Sequence, residues 1–555
     1  MLKFAHFIPE VLISALGLIV LLTATVSNSL RIIKVVSLLG MLGVIINIYH
    51  YHDLIISTIN YDIQGSLNTH NMLFLKQIVV IFALMIIFTF FGSIKQSILT
   101  QSNHSNLKLV NNTTDATKRN TNVLGSINNI YNENISYLCE YIILILFSCL
   151  GAFVVISSTD LLTMFVGLEL QAFCGYIVAA FHSRCKLVNE AGVKYFIIGC
   201  VASCFALLGI SILYGLTSSI EFSVISHKIN QIHTYYNQLG TIDDSKHLLL
   251  LYYLSIVLIS INLLFKISSS PFQGAILDVY QAPPLFMVSF ISTIHKIGAI
   301  AALINIVNSI LIKLNIGYGL FETIACISLI VGSLGGVNQK SIKRILGYSS
   351  VLNSGFILMA ILNTKGYDNK LLLYITVYFL NLIGLFGALA LIQKKCINSI
   401  HKNHSLIKIK TLFSHIMINN DLHINDLKYL ERSKLLKYST VLLILSLIGI
   451  PPLSGFFIKY YVLEIALYKQ QYMFCVCAII SSVVSSYYYL KIILSCITEP
   501  NDHTVDVEEF ENHATLPPLQ AFETIYQPDT DIQNYYLFLV TIVGVVVVIP
   551  FYVFI

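Results

Sequence analysis

The sequence predicts an all-α polytopic membrane protein, and its composition, the spacing of its apolar segments and two proline-interrupted segments support that prediction. Hydrophobic residues make up 56% of the 555 residues and charged residues only 11%, with a mean hydropathy of +0.78. This composition excludes a soluble domain with a polar surface. Lysine and arginine are spread over loops and are not gathered on one face among aromatics, which argues against a nucleic-acid-binding protein.

Apolar segments long enough to cross a bilayer recur along the whole chain. A spanning helix needs roughly 20 predominantly apolar residues. The segments that meet this requirement are centred in 7 to 26, 32 to 50, 72 to 94, 138 to 157, 160 to 182, 188 to 215, 247 to 268, 284 to 312, 317 to 336, 343 to 363, 370 to 393, 438 to 460, 471 to 495 and 535 to 555. The sequence therefore predicts about 14 transmembrane helices.

Lysine and arginine are concentrated in alternate loops between these segments. They follow the first, third and fifth segments and recur in the stretch 394 to 437, whereas the loop 51 to 70 carries almost none. Short loops rich in these residues stay on the cytoplasmic or matrix side of a membrane. Both termini are therefore predicted to lie on the opposite side.

Serine and proline interrupt two of the apolar segments at corresponding places. The seventh segment meets Ser268, Ser269, Ser270 and Pro271, and the twelfth meets Pro451, Pro452, Ser454 and Gly455. Proline removes a backbone donor and clashes with the preceding turn, so each helix is predicted to break near mid-membrane. The carbonyls and hydroxyls freed at a break can hydrate an ammonium group. Breaks at matching places in two halves are typical of inverted-repeat transporters, which predicts two inverted five-helix repeats.

Polar segments divide the chain around these two repeats. The predicted divisions are an N-terminal three-helix segment (1-97), a polar insertion (98-137), the first five-helix repeat (138-312, broken helix near 266-271), the second five-helix repeat (317-495, broken helix near 451-455), a polar acidic segment (498-533) and a C-terminal transmembrane helix (535-555). Two further polar stretches, 217 to 246 and 397 to 436, lie inside the repeats and are predicted to be solvent-side insertions.

Five ionisable residues lie deep inside the apolar segments and are the candidate functional residues. They are Glu169, Lys194, Lys266, Lys296 and Lys459. A charge at the bilayer centre costs about 2.5 to 3.5 kcal/mol on insertion scales, so such residues are by default functional, typically in proton or ion movement. The structural alternatives are snorkelling of the lysines to an interface and a buried ion pair between Glu169 and Lys194 without a transport role. The positions of Lys266 and Lys459 beside the breaks favour the functional interpretation.

Other polar residues in or near the segments receive a structural interpretation first. His295 precedes Lys296 and is a secondary candidate for a proton relay, although a lone intramembrane histidine is more often a packing residue. Glu10 and Lys76 lie near segment ends, where snorkelling or interface contacts suffice. Asp160 and Asp278 are predicted to be helix caps.

Sequence signatures of a redox cofactor are missing from the chain. The 11 cysteines are scattered and form no C-x-x-C pair, and neither a glycine-rich dinucleotide loop nor a phosphate loop occurs. The sequence therefore predicts no cofactor and no metal on this chain.

Five stretches of the chain together resemble one family of respiratory subunits. They are DLLTMFVGLELQAFCGYIVAAF, EAGVKYFIIG, LLFKISSSPFQGAILDVYQAPP, NQKSIKRILGYSSVLNSGF and LSLIGIPPLSGFFIKYYVL. From about 138 to 495 the chain resembles subunit 2 of mitochondrial NADH:ubiquinone oxidoreductase (respiratory complex I), the counterpart of the bacterial antiporter-like subunit N. The resemblance implies a membrane-arm subunit that couples electron transfer from NADH to ubiquinone to proton pumping.

The resemblance also implies where the protein lies and what surrounds it. The location is the mitochondrial inner membrane, with both termini on the intermembrane-space side. NADH, FMN, iron–sulfur clusters and ubiquinone would be bound by partner subunits. The expected partners are the other membrane-arm subunits, including neighbouring antiporter-like subunits, and membrane lipids. Two alternatives remain open: a subunit of a multisubunit cation/proton antiporter, and a structural membrane-arm spacer.

The resemblance assigns roles to the intramembrane charges. Glu169 and Lys194 match the family's Glu–Lys pair of the fifth and sixth spans, Lys266 matches the lysine of the first broken helix, Lys296 that of the eighth span and Lys459 that of the second broken helix. The chain departs from the family pattern at Gln273, Ala275, Leu277, Gln281 and Asn353. Gln273 and Asn353 stand where histidine is common, which puts a proton role at those two positions in doubt.

Overall fold

A computed structural model describes residues 8–26, 30–58, 71–89, 139–181, 186–239, 243–311, 318–364, 366–402, 423–424, 427 and 434–498. Its first eleven helices are α1 (Ile8–Val26), α2 (Leu30–Thr58), α3 (Asn71–Thr89), α4 (Cys139–Ser157), α5 (Leu161–Ala179), α6 (Lys186–Thr217), α7 (Phe222–Leu239), α8 (Asp243–Ile267), α9 (Gly274–Gln281), α10 (Leu285–Ser292) and α11 (Ile294–Ile306). A π-helical turn, Val307–Leu311, extends α11. The remaining helices are α12 (Tyr318–Val337), α13 (Ile342–Asn363), α14 (Asn369–Lys402), α15 (Lys434–Ile448), α16 (Ser454–Tyr468) and α17 (Tyr472–Ile497).

The predicted membrane spans agree with these helices. Within the described ranges, 12 helical stretches are long and apolar enough to cross a membrane, and α15 adds a shorter apolar helix to the twelfth, broken span. The fourteenth predicted span, 535 to 555, lies outside the described residues, as do the polar segments 98 to 137 and, apart from Thr498, 498 to 533. The all-α polytopic fold class is confirmed. The inverted relation of the two repeats stays a prediction.

The first predicted break lies directly after α8. Ser268 adopts a left-handed backbone conformation with φ of 69°, and α9 starts only at Gly274. The backbone amide of Ser269 donates to the carbonyl of Leu264 at 3.0 Å, and the amide of Ser270 donates to Ser328 Oγ at 3.0 Å. A side chain from α12 therefore replaces a hydrogen bond that the broken helix cannot make.

The second predicted break lies between α15 and α16. The helix ends at Ile448, and Gly449 follows with φ of 89°, a conformation that glycine adopts without steric cost. The next helix begins at Ser454, after the two prolines. Both breaks therefore occur where the prolines predict them.

The eighth span has an interruption that the sequence does not predict. Thr293 separates α10 from α11 with φ of −117° and ψ of −80°, outside the helical region. Its hydroxyl donates to the carbonyl of Ser289 at 2.6 Å, and its carbonyl accepts from the amide of Lys296 at 3.0 Å. No proline or glycine marks this position. The interruption places Lys296 in the first turn of α11.

The polar stretch 217 to 246 is helical over much of its length. Helix α7 occupies its centre and buries Phe222, Ile225 and Ile229. This spacing of three and four residues places the three side chains on one helical face, which packs on the bundle while polar residues face outward. The stretch is therefore an amphipathic surface helix within the chain between α6 and α8.

Candidate functional site

The first break holds a buried ion pair between α8 and α5. The ammonium of Lys266 donates to Glu169 Oε1 and to the carbonyl oxygen of Leu168, each at 3.0 Å. The Lys266 side chain is 2% exposed and the Glu169 side chain 18%. A desolvated charge pair with an added carbonyl acceptor is the arrangement that a buried lysine requires.

The predicted pairing of Glu169 with Lys194 is wrong in this structure. Lys194 is 46% exposed on α6 and pairs at 2.7 Å with Glu190, one turn earlier on the same helix. Its ammonium also lies 3.4 Å from Asp278 Oδ2. Residues four apart share one face of a helix, so Glu190 is the natural local partner of Lys194. Glu169 pairs with Lys266 instead.

Asp278 joins the two halves of the chain. Its Oδ1 accepts from Arg344 on α13 at 3.1 Å, while its Oδ2 faces Lys194 on α6. The prediction that Asp278 caps a helix is wrong, because the residue lies inside α9. By contrast, Asp160 caps α5 as predicted, accepting from the amide of Thr163 at 2.7 Å. The sequence signal that could have indicated these contacts of Asp278 is its position in the same family-like stretch as Lys266.

Lys296 contacts the non-helical segment of the first break. Its ammonium donates to Ser268 Oγ at 2.5 Å and lies 5.5 Å from the ring centroid of Tyr280. Ser268 Oγ in turn lies 3.4 Å from Ser350 Oγ on α13. Ser268 is two residues after Lys266, so one short non-helical segment connects the surroundings of both lysines. A hydroxyl both donates and accepts, which suits this connecting position.

His295 directly precedes Lys296 in sequence and is also buried, but its side chain contacts different groups. Its ring lies 6.1 Å from the ring of Tyr195, and a Cβ added at Gly175 would come within 2.7 Å of the imidazole. Neither imidazole nitrogen has a hydrogen-bond partner within the described part of the chain. The proton-relay role of His295 stays a prediction.

Polar side chains continue from the first break along the buried face of α13. Asn353 donates from Nδ2 to the carbonyl of Ser349 at 2.8 Å and accepts from the hydroxyl of Tyr374 at 2.9 Å. The hydroxyl of Ser349 contacts that of Tyr489 on α17. Asn353, which departs from the family pattern, is therefore part of a buried hydrogen-bond network.

The second break binds the ammonium of Lys459 with backbone carbonyls, as predicted. Lys459 Nζ donates to the carbonyls of Leu447 and Ile448 at 2.8 and 2.9 Å. It also lies 5.9 Å from the ring centroid of Phe356, on α13. The break thus supplies acceptors that an intact helix would have used internally.

A small polar cluster lies beside this second break. The side-chain amide of Asn381 on α14 donates to Ser446 Oγ at 2.9 Å, and Ser446 Oγ lies 3.4 Å from Ser454 Oγ. Asn381 and Ser446 are 65 positions apart in sequence, so only the fold shows that they are neighbours. The three side chains connect α14, the end of α15 and the start of α16.

The arrangement can hold and move protons. Three buried ammonium groups, those of Lys266, Lys296 and Lys459, lie at two helix breaks, and hydroxyl and amide side chains lie around and between them. The ammonium of Lys296 donates to a hydroxyl, whereas those of Lys266 and Lys459 donate to carboxylate or carbonyl oxygens. No group of three or more His, Cys, Asp and Glu residues able to hold a metal occurs among the residues that the structure describes.

Comparisons with known proteins agree on one family. The transmembrane family model described as "NADH:quinone oxidoreductase/Mrp antiporter, TM" matches residues 158–485. NADH-quinone oxidoreductase subunit N of Rickettsia felis is 34% identical over 365 residues, covering 64% of this chain and 70% of the relative. The subunit N of Rickettsia prowazekii is 35% identical over 357 residues, with the same coverage.

Solved structures show the same fold at lower sequence identity. A chain of respiratory complex I from Thermus thermophilus is 20% identical with a TM-score of 0.62, covering 97% of both chains. A chain of the Mrp complex from Dietzia is 16% identical with a TM-score of 0.66, covering 98% of this chain and 94% of the other. The chain therefore belongs to the NADH:quinone oxidoreductase/Mrp antiporter transmembrane family and, within it, to the NADH-quinone oxidoreductase subunit N proteins, as its sequence predicts.

Proposed function

We propose that this protein is an antiporter-like membrane-arm subunit of an NADH:quinone oxidoreductase and that it translocates protons. The observation that carries the proposal is the buried Glu169–Lys266 pair at the first helix break, two residues from the hydroxyl that binds Lys296. A stable fold does not need such a pair, because well-packed apolar residues of similar volume are often as stabilising. Family membership supports the same function.

Movement of Glu169 relative to Lys266 is the proposed switch. While the carboxylate lies 3.0 Å from the ammonium, it stabilises the charged form of Lys266. When Glu169 moves away, burial favours the neutral amine, and the proton passes through Ser268 to Lys296, which by then has given its own proton to the second half. The serine hydroxyl, already bound to Lys296, is the available acceptor and donor on that path.

The second half receives the proton at Lys459. Ser350 and Asn353 on α13 lie between the first break and the polar groups around Ser446. Water molecules would complete the path where side chains are not in contact. The carbonyls of Leu447 and Ile448 hold the ammonium of Lys459 ready for exchange with solvent.

The redox chemistry belongs to partner subunits in this proposal. NADH, FMN, iron–sulfur clusters and ubiquinone would be bound there, and this chain would contact other membrane-arm subunits and lipids. The resemblance to subunit 2 of the mitochondrial enzyme supports a location in the mitochondrial inner membrane. The scarcity of Lys and Arg in alternate loops supports placing both termini on the intermembrane-space side.

Native electrophoresis tests the assignment. Membranes are solubilised in mild detergent, separated on a native gel and stained for NADH oxidation, and the chain is located by mass spectrometry. We expect it to migrate with inhibitor-sensitive NADH:quinone activity. Migration without any NADH-oxidising component would overturn the assignment. The likeness to the Mrp complex makes a cation/proton antiporter subunit the second candidate in that case.

Asp278→Asn is expected to lower the rate of NADH-driven quinone reduction severalfold. The amide keeps the shape of the side chain but removes the charge that faces both Lys194 and Arg344. Both contacts are partly exposed, so assembly should change little. Asp160→Asn is the matched control. Asparagine also caps helices well, so the cap of α5 is kept. In the described ranges, Asp160 forms no ion pair with another helix. Equal rates in the two variants would contradict a coupling role for Asp278.

A further inference from the structure

A buried ion pair outside the two breaks joins the N-terminal helices to α4. Glu10 Oε1 on α1 accepts from the ammonium of Lys76 on α3 at 2.5 Å and from Ser157 Oγ on α4 at 3.0 Å. Glu10 is 8% exposed and Lys76 is 3% exposed. The prediction that both residues snorkel to an interface is therefore wrong: neighbouring helices enclose both charges.

The pair leaves hydrogen-bonding capacity unused. Glu10 Oε2 is buried and has no hydrogen-bond partner within the described part of the chain. Besides Glu10, the ammonium of Lys76 faces the ring of Phe153, whose centroid is 5.6 Å away. Buried polar atoms are almost always satisfied, and an exception needs a functional or solvent-based explanation. A carboxylate oxygen without a hydrogen-bond partner has room to take up a proton.

Polar contacts connect the pair to the helix that carries Lys296. Beside Ser157, the hydroxyl of Ser158 lies 3.5 Å from Asn305 Nδ2 on α11, and Asn305 Oδ1 accepts from the hydroxyl of Tyr367 at 3.0 Å. The carbonyl of Tyr367 accepts from Asn71 Nδ2 at 2.5 Å, and Asn71 lies on α3, as Lys76 does. These contacts, together with the chain between Ser157 and Ser158 and between Asn71 and Lys76, form a ring through α1, α3, α4, α11 and the segment before α14.

This ring lies at one end of the bundle. Its residues lie at the start of α1, the start of α3 and the end of α4. Consecutive spanning helices cross the membrane in opposite directions, so these three helix ends lie on the same side. Asn305 follows Lys296 by nine residues on α11, about 14 Å along a helix that rises about 1.5 Å per residue. The ring is therefore on the N-terminal side of the membrane, between solvent and the buried lysine.

We propose that Glu10 and Lys76 form a proton-binding site through which protons exchange with the compartment on the N-terminal side. In the step itself, the Lys76 ammonium donates a proton to the Glu10 carboxylate, which leaves a neutral amine and a carboxylic acid. The acid then releases the proton to water on that side, and the amine is reprotonated from within the membrane. Transfer within the pair creates no net charge, which suits its buried position. This proposal deepens the proposed function and rests on it.

The double variant Glu10→Gln with Lys76→Met tests the site in the complete enzyme. Inverted membrane vesicles are assayed for assembled complex on a native gel, for NADH oxidation and for protons translocated per NADH oxidised. We expect the complex to assemble and the number of protons translocated per NADH oxidised to fall. If the pair is purely structural, Lys76→Met alone should prevent assembly, because it leaves a buried carboxylate unpaired. The double variant should then restore both assembly and the wild-type proton ratio.

Glu10→Gln alone keeps the test decisive if the double variant does not assemble. The amide oxygen can still accept from Lys76 and Ser157, but the side chain no longer binds a proton. A wild-type proton ratio in Glu10→Gln overturns the proposal. The matched control is the exposed pair of Lys370 and Glu464, 3.8 Å apart and 41% and 47% exposed. Its neutral variant, Lys370→Met with Glu464→Gln, is expected to keep the wild-type ratio.

A parallel Lys266→Met variant separates failure of this site from failure of the proposed function. If Lys266→Met lowers NADH-linked pumping while Glu10→Gln keeps the wild-type ratio, only the Glu10–Lys76 proposal fails. If neither variant changes pumping, the proposed function itself fails, and this proposal falls with it. A fall in both variants supports the two together.

Discussion

Replacing Lys266 by Met is expected to slow pumping-linked NADH oxidation by at least about tenfold, equivalent to about 1.4 kcal/mol in the activation free energy. The methionine side chain retains the length and much of the volume of lysine but carries no proton. Lys266 provides the ammonium that Glu169 and the carbonyl of Leu168 bind at 3.0 Å. No other described ammonium contacts Glu169, so its loss removes the proposed switch.

Assembly should survive this substitution. Methionine exchanges a buried charge for an apolar group in a 2% exposed position, and Glu169, at 18% exposure, is not fully enclosed. The measurements are NADH:quinone turnover, proton translocation in inverted vesicles and the amount of complex on a native gel. Glu169→Gln should give a similar but milder loss, since an amide oxygen still accepts from Lys266. Full turnover and full proton yield in Lys266→Met would rule out its role.

The helix breaks could be predicted from the sequence because their cause is local. Proline forbids the regular hydrogen bond wherever it occurs, so the positions of both breaks follow from Pro271 and Pro451. The carbonyl coordination of Lys459 follows as well, because a lysine just after a break faces the carbonyls that the break frees. Hydropathy likewise predicts the spans that the structure describes, since the length of a span must match the thickness of the bilayer core.

The partners of the intramembrane charges could not be predicted in the same way. Hydropathy identifies a span but does not give its rotation about the helix axis, and an ion pair between helices depends on that rotation. Lys194 points outward on α6 toward Glu190, whereas Lys266 points inward toward Glu169. Burial of Glu10 with Lys76 depends on packing between helices separated by 66 positions in sequence. The interruption at Thr293 likewise has no local signal.

Gly455→Ala is expected to disable the second break although it adds only a methyl group. A Cβ at this position would lie 1.7 Å from the backbone oxygen of Ser446 and 2.7 Å from its carbonyl carbon. These are backbone atoms at the end of α15, so no side-chain rotation relieves the clash. The start of α16 must therefore move away from the end of α15.

That movement separates Lys459 from its acceptors. The carbonyls of Leu447 and Ile448 belong to α15, whereas Lys459 belongs to α16, and the present distances are 2.8 and 2.9 Å. A displacement of about 1 Å in a catalytic arrangement can cost on the order of 10²-fold in rate. Overpacking of this kind also destabilises a fold by about 1 to 3 kcal/mol. We expect a large loss of proton-coupled turnover together with a lower thermal midpoint of the complex.

Gly274→Ala is the matched control at the first break. Gly274 begins α9, as Gly455 lies at the beginning of α16, but a Cβ added at Gly274 meets no atom within 4 Å. Alanine favours helix over glycine by about 0.5 to 1 kcal/mol, so this variant should be as stable as the parent or slightly more so. Turnover and thermal midpoint are measured for both variants side by side. If Gly455→Ala behaves like Gly274→Ala, close contact between the helix ends does not position Lys459.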